Sequence, residues 1–296
     1  MNRWFILASI LIDFAACQAP AQAALLSSFG QCSYTGDPHL IPFPTGVNQP
    51  VNMYFCNKSQ WEVLLQNKWI LVIVKAGPSP FVIVDHLVIF FDGNLGIKCI
   101  LSGSLGLSTC PLTSSVVSIT NTLGTAWSHW YPAASFLNIQ ITSYPWGVAK
   151  RYDITIRETF ALIGQSAGLC VKHNCPLERV ISVPPPVVVN VCEIYIRAVP
   201  RKYAAGLAAN FVGLVRLACH NDLLLTMNMR FAQTTLPLLV YSALSQLNSD
   251  NYKAGVIKAE ADISAALVLA DAAALAEVAK DGICWEGKHC LSTGDD

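Results

Sequence analysis

The sequence predicts an α+β protein, an N-terminal antiparallel β-sandwich followed by a disulfide-tied helical C-terminal region. Three observations predict it. Between Cys32 and Val183, apolar residues recur in strand-like runs bounded by Gly, Pro, Ser and Asn. Beyond residue 200 they recur at spacings of three and four, which is the helical period. A triple proline, Pro184-Pro185-Pro186, separates the two regimes. Side chains alternate faces along a strand but return to one face every third or fourth residue along a helix, so the change of period marks a change of element type.

The N-terminal stretch reads as a signal peptide over residues 1–23. Arg3 supplies a positive start, "WFILASILIDFAA" is apolar apart from Asp13, and Ala21-Gln22-Ala23 is an A-x-A cleavage site. The stretch is too short to cross roughly 30 Å of hydrocarbon. Cleavage removes Cys17 and leaves about 270 residues. The cysteines that remain are Cys32, Cys56, Cys99, Cys110, Cys170, Cys175, Cys192, Cys219, Cys284 and Cys290. An even number in an exported chain reads as a disulfide framework, whose connectivity the spacing leaves open. No gap has C-x-x-C spacing, so neither a zinc knuckle nor a thioredoxin-type pair is suggested.

Charge narrows the partners. Nineteen basic residues balance nineteen acidic ones with no dense run of either sign, which excludes nucleic acid and anionic membrane as electrostatic partners. No later segment offers some eighteen charge-free apolar residues, and the terminal "CLSTGDD" lacks the apolar tail of a lipid anchor, so no transmembrane anchor is expected. The expected destination is extracellular.

Within the β-half, "WEVLLQNKWILVIVKAG", "PFVIVDHLVIFFDGN", "SVVSIT", "FLNIQIT" and "YDITIRETF" are the strand candidates. In the last, Tyr152, Ile154 and Ile156 alternate with Asp153, Thr155 and Arg157, which predicts one face on a core and the other in water. Residues 184–192 are expected to be a stiff polyproline connector, because proline fixes φ and lacks an N–H. The helical region then covers 193–296, with helical patterning from "RKYAAGLAANFVGLVRLACHND" onward. Its clearest helix is "KAEADISAALVLADAAALAEVAKDG", in which Ile263, Leu267, Ala270, Ala274 and Val278 share a face. Glu260, Asp262, Asp271 and Glu277 fall largely off that stripe, and Gly282 is placed to end the helix.

Gly164, Ser166 and Gly168 satisfy a bare G-x-S-x-G, but a nucleophile elbow lies between strand and helix in an α/β sheet, and no such alternation surrounds them. Asp37 and His39 on one turn are two ligands, which do not make a metal site. Their expected roles are local: Asp37 accepts backbone N–H bonds, Pro38 fixes φ, and His39 packs or hydrogen-bonds nearby. No catalytic residue and no enzymatic activity are therefore expected. Asn57-Lys58-Ser59 is an N-x-S sequon that makes Asn57 a glycosylation acceptor.

The motif residues then suggest a family. Cys32, Gly36-Asp37-Pro38-His39, Phe43 and Gly46 resemble the start of a von Willebrand factor type D domain. Gly168-Leu169-Cys170, with Asn174 following, resembles that family's far-end Gly-Leu-Cys motif, so the resemblance spans residues 32–183. Cys219-His220-Asn221-Asp222 is similar to a Cys-x-x-Asp in the helical segment that often follows such domains. The resemblance implies a non-catalytic extracellular β-sandwich module for adhesion, matrix formation or protein assembly. Its partner would be an extracellular protein or glycan, or a second copy through self-association.

The resemblance also implies calcium held by side-chain oxygens in and after the far-end loop. Here only Asn174 and Glu178 stand as candidate ligands, Lys172 replaces an Asn, and calcium wants six to eight oxygens. No other cofactor is expected. Ala167 stands where the family's redox-like pair has its first cysteine, which speaks against disulfide exchange. The alternative function is a secreted carrier of lipid or another apolar ligand, suggested by a mean hydropathy of +0.44 and only 13% charged residues. An extracellular hydrolase using Ser166 comes third.

Overall fold

The computed structural model describes residues 28–36, 38–47, 49–57, 59–76, 84–92, 95–102, 107–109, 118–122, 126–130, 136–146, 149–245, 247, 249–281, 284–285 and 289–290. The expected leader, Asp37, Cys110 and Gly282 lie outside the described residues.

Among the described residues, twelve strands precede the helices. They are β1 (Phe29–Thr35), β2 (His39–Ile41), β3 (Tyr54–Phe55), β4 (Glu62–Gln66), β5 (Ile70–Ala76), β6 (Val84–Asp92), β7 (Leu95–Ser102), β8 (Leu107–Thr109), β9 (Ser118–Thr122), β10 (Ala126–Trp130), β11 (Leu137–Trp146) and β12 (Ala149–Thr159). They form two antiparallel sheets, one ordered β3-β2-β1-β12-β11-β10-β9 and the other β4-β5-β6-β7-β8. Period-two patterning sets the register. Cys32 and Tyr34 of β1 sit opposite Ile156 and Ile154 of β12, which face Ile139 and Ile141 of β11. These side chains join Leu65, Ile70, Val72 and Val74 of the second sheet in one hydrophobic core.

The opposite face of β12 is not in water. Asp153 and Thr155 are buried and Arg157 is 0% exposed. In register beside them lie Ser33 and Gln31 of β1 and Asn138 and Gln140 of β11, so the sheet presents a polar face. Helices cover it. The Arg157 Nε donates to the Ser245 carbonyl at 2.6 Å and its Nη1 to the Asn138 Oδ1 at 2.8 Å. The guanidinium carbon lies 3.4 Å from the Phe29 ring centroid and 4.3 Å from that of Tyr252, so two aromatic faces supply much of the attraction that water would have given. Alternation correctly separated the two faces; only the helical cover decides that the polar one is dry.

The helical half begins earlier than the connector reading allowed. A short helix, α1 (Phe160–Ile163), follows β12, and α2 runs over Pro186–Arg197. Residues 184–192 are thus mostly helix, because Pro186 occupies the first helical position, where a missing N–H costs nothing and a fixed φ helps. Then come α3 (Arg201–Ala204), α4 (Ala209–Thr226), a 3₁₀ turn (Met229–Thr234), α5 (Thr235–Leu244) and α6 (Ser249–Asp281). Two further short strands, β13 (Cys284–Trp285) and β14 (His289–Cys290), pair with Cys284 opposite Cys290.

On α6, Ile263, Ala270 and Ala274 are buried as the stripe requires. Its acidic residues do not simply face solvent. Asp271 accepts from the Tyr195 hydroxyl of α2 at 2.7 Å, and Asp262 accepts from the Tyr203 hydroxyl of α3 at 2.6 Å. Glu260 is buried beneath the helix.

Among the described residues, three disulfides tie these parts. Cys32 bonds Cys170, Cys56 bonds Cys175, and Cys192 of α2 bonds Cys219 of α4. Cys170 and Cys175 each reach a distant partner rather than closing a small local loop. Among the described residues, no helix is long and apolar enough to cross a membrane.

Candidate functional site

The two motif ends meet in space. Gly168 has φ +106°, and a Cβ there would stand 2.7 Å from the Leu64 carbonyl oxygen, so only glycine lets the chain lie this close to β4. The following Leu169 and Cys170 N–H groups donate to the Val63 and Leu64 carbonyls. Cys170 is bonded to Cys32, and its carbonyl accepts from the Phe43 N–H at 2.9 Å. On the other side, the Pro38 carbonyl accepts from the Cys56 N–H at 3.1 Å. Covalent and backbone bonds therefore fasten the first motif to the loop that follows α1.

His39 lies at the centre of a buried ionisable cluster. It opens β2, is 1% exposed, and bridges two carboxylates. Its Nδ1 donates to Glu178 Oε2 at 2.9 Å and its Nε2 to Asp222 Oδ1 at 2.7 Å. Glu178 belongs to the segment beside β3, where its N–H donates to the Met53 carbonyl. Asp222 belongs to α4. The neighbouring Asn221 donates from Nδ2 to Glu178 Oε1 and to the Arg179 carbonyl at 2.8 Å, and its Oδ1 accepts from the Ile181 N–H.

Gly36 makes room for this arrangement. It has φ +65°, donates its N–H to Asp153 Oδ1 at 3.0 Å, and a Cβ there would lie 2.7 Å from Asp222 Oδ2 and 2.9 Å from the His39 ring. Glycine is needed both for the left-handed turn and for the close carboxylate.

Electrostatics make the cluster ionic. Burial alone would drive the His39 ring neutral, but Asp222 and Glu178 outweigh it and hold the ring protonated well above its ordinary 6.5. Burial likewise pushes the Glu178 carboxyl up, yet His39 and Asn221 bring it below its ordinary value. A doubly donating imidazolium between two carboxylates is satisfied at both nitrogens, so it neither accepts a proton nor offers a lone pair to a metal. The cluster fastens.

The position of each remaining sequence candidate follows from this packing. His39 does not bond locally as expected; its partners are 139 and 183 residues away. Local turn bonds could not have dried and charged the ring, whereas two carboxylates from separate segments do. Glu178, the second candidate calcium ligand, is buried and its two oxygens accept from His39 and Asn221. Asn174 lies on an exposed turn between Cys170 and Cys175. Asn57 is partly buried beside β3, and Pro38 is buried.

Ser166 follows a short helix rather than a strand. Its hydroxyl lies 3.0 Å from Glu158 Oε2 and 2.9 Å from the Leu162 carbonyl, its single proton serving one of them at a time, while Asn67 Nδ2 donates to it at 3.1 Å. Among the described residues, no histidine is a hydrogen-bond partner of Ser166. Burial pushes the Glu158 carboxyl up to about 7, against the hydrogen bonds from Ser166 and Asn67.

Sequence reasoning missed Asn221 and Asp222 as partners of His39. The available signal was their place in Cys219-His220-Asn221-Asp222, a polar run on an otherwise apolar helix. No known protein-family model matches the chain, and no curated protein matches it.

Proposed function

We propose that the chain is a non-catalytic extracellular binding module of von Willebrand type D-like character, acting in adhesion, matrix formation or protein assembly. The observation that carries this reading is the use of its Gly-Asp-Pro-His histidine. His39 is sealed from solvent and spends both ring nitrogens on Glu178 and Asp222, which is the work of a fastener between the sheet and α4. The disulfide from Cys32 to Cys170 joins the two ends that carry the family resemblance and adds support. Long-separation disulfides suit an oxidising extracellular setting. Val268 and Leu269, 67% and 73% exposed on α6, provide an apolar outer face for self-association.

The carrier reading is less favoured. Among the described residues the apolar side chains gather in buried clusters, whereas a carrier needs them to line a ligand cavity. The test uses the full chain secreted into culture medium. Expected results are concentration-dependent assembly by light scattering that Leu269→Ser reduces, and no ester, peptide or glycoside turnover that Ser166→Ala removes. Turnover lost with Ser166→Ala, or tight co-purification of a lipid with a monomer, would overturn the proposal.

A further inference from the structure

We propose that an N-linked glycan on Asn57 covers an apolar groove at the edge of the larger sheet, an inference that rests on the extracellular reading above. The groove measures about 360 Å³ and is lined by Phe55, Asn57, Pro176, Leu177, Ile181 and Leu225. Its apolar walls are open to solvent: Leu177 is 48% exposed, Ile181 52% and Leu225 40%. The strip continues into Val180 and Val183, which are more exposed still. Contiguous apolar surface of this kind is unfavourable in water and marks a place that something covers.

Its location adds a second hazard. β3 ends the seven-stranded sheet, and residues 176–178 pair with its outer side through the Phe55 and Glu178 N–H groups, so the strip forms the outermost layer at that edge. An uncovered apolar edge invites pairing between copies. Two charged residues also line the groove: the Glu178 carboxylate is turned to His39 and Asn221, which leaves the exposed Arg179 as the charge that faces other chains.

The occupant is identified by Asn57. It is the one groove residue that carries an attachment signal, Asn57-Lys58-Ser59, and Ser59 is exposed. Among the described residues the Asn57 side chain makes no hydrogen bond, so its amide nitrogen is uncommitted. In the transfer, that nitrogen attacks C1 of the first N-acetylglucosamine of a lipid-pyrophosphate-linked oligosaccharide. The N–C1 bond forms, the C1–O bond to pyrophosphate breaks, and the amide proton leaves with the lipid pyrophosphate. A pyranose attached there sets its C–H face against Leu177 and Pro176 and its hydroxyls toward water, which suits a half-open apolar groove.

The experiment expresses the full chain in a glycosylating secretory host and collects it from the medium. Wild type is expected to shift in gel mobility on enzymatic removal of N-glycans, and Asn57→Gln and Ser59→Ala to lose that shift. Deglycosylated wild type should then bind more of a fluorescent apolar dye, and Leu177→Ser with Ile181→Ser should abolish the increase. Secreted protein with no mobility shift overturns the glycan while leaving the extracellular reading intact. A shift with unchanged dye emission overturns the covering role. An unglycosylated dimer that Ile181→Ser dissociates shows a second copy in the groove and overturns the proposal. Protein retained in the cytosol with free thiols overturns both this inference and the reading beneath it.

Discussion

His39 and its two carboxylates show how one residue joins parts of the chain that sequence keeps far apart. Removing one member of a buried ion pair leaves the others desolvated and uncompensated, so His39→Gln should destabilise by about 3–5 kcal/mol in urea unfolding. The pH dependence has a definite sign. The His39 value is raised, so its contribution is complete below 6.5 and is lost as pH rises through the higher folded value. The Glu178 value is lowered, so its contribution is complete above 4.5 and is lost as pH falls through the lower folded value. The gap between wild type and His39→Gln should therefore be widest between pH 4.5 and 6.5 and narrow on both sides. Glu158 behaves oppositely to Glu178: its contribution is complete below 4.5 and lost as pH rises through about 7. Glu158→Gln mimics the protonated acid, giving its amide to Ser166 and accepting from Asn67. Thermal melts above pH 7 should show the variant more stable than wild type by up to about 3 kcal/mol, with the gain absent below 4.5.

The elements were partly legible in the sequence, and the reason differs from one to another. Strand period was plain in β12 because Tyr152, Ile154 and Ile156 answer a local constraint, the pleat over an apolar core. The burial of Arg157 was not, since it depends on Ser245 and Tyr252 arriving from the helical half. Proline misled at α2, where a residue that suits an extended connector also suits a first helical turn, and Pro186 does the latter. The partners of His39 were illegible because no local pattern encodes a contact spanning 183 residues. The disulfides follow the same logic. Cys32 and Cys170 are separated by 138 residues, so chain entropy makes this link worth about 4–5 kcal/mol. Replacing both by Ala should lower the guanidinium midpoint accordingly, with the far-ultraviolet helical signal unchanged before the transition.

Taken as a whole molecule, the chain builds a β-half with a buried polar face and a helical half that covers it. The halves are held by Arg157 against Ser245 and by His39 against Asp222. Each half leaves buried polar groups for the other to cover, and His39 fastens the two together. Tryptophan reports this once Trp285 of β13 is replaced by Phe in every protein compared, because Trp61, Trp69, Trp127, Trp130 and Trp146 lie in the β-half and α2 to α6 contain none. The most direct measurement follows tryptophan emission and helical ellipticity together through urea unfolding of wild type and Asp222→Asn at pH 6. The account predicts coincident curves for wild type, and curves that separate, with the helical signal lost first, once the Asp222 carboxylate is gone. Separate curves in wild type, or coincident and unshifted curves in Asp222→Asn, would contradict it.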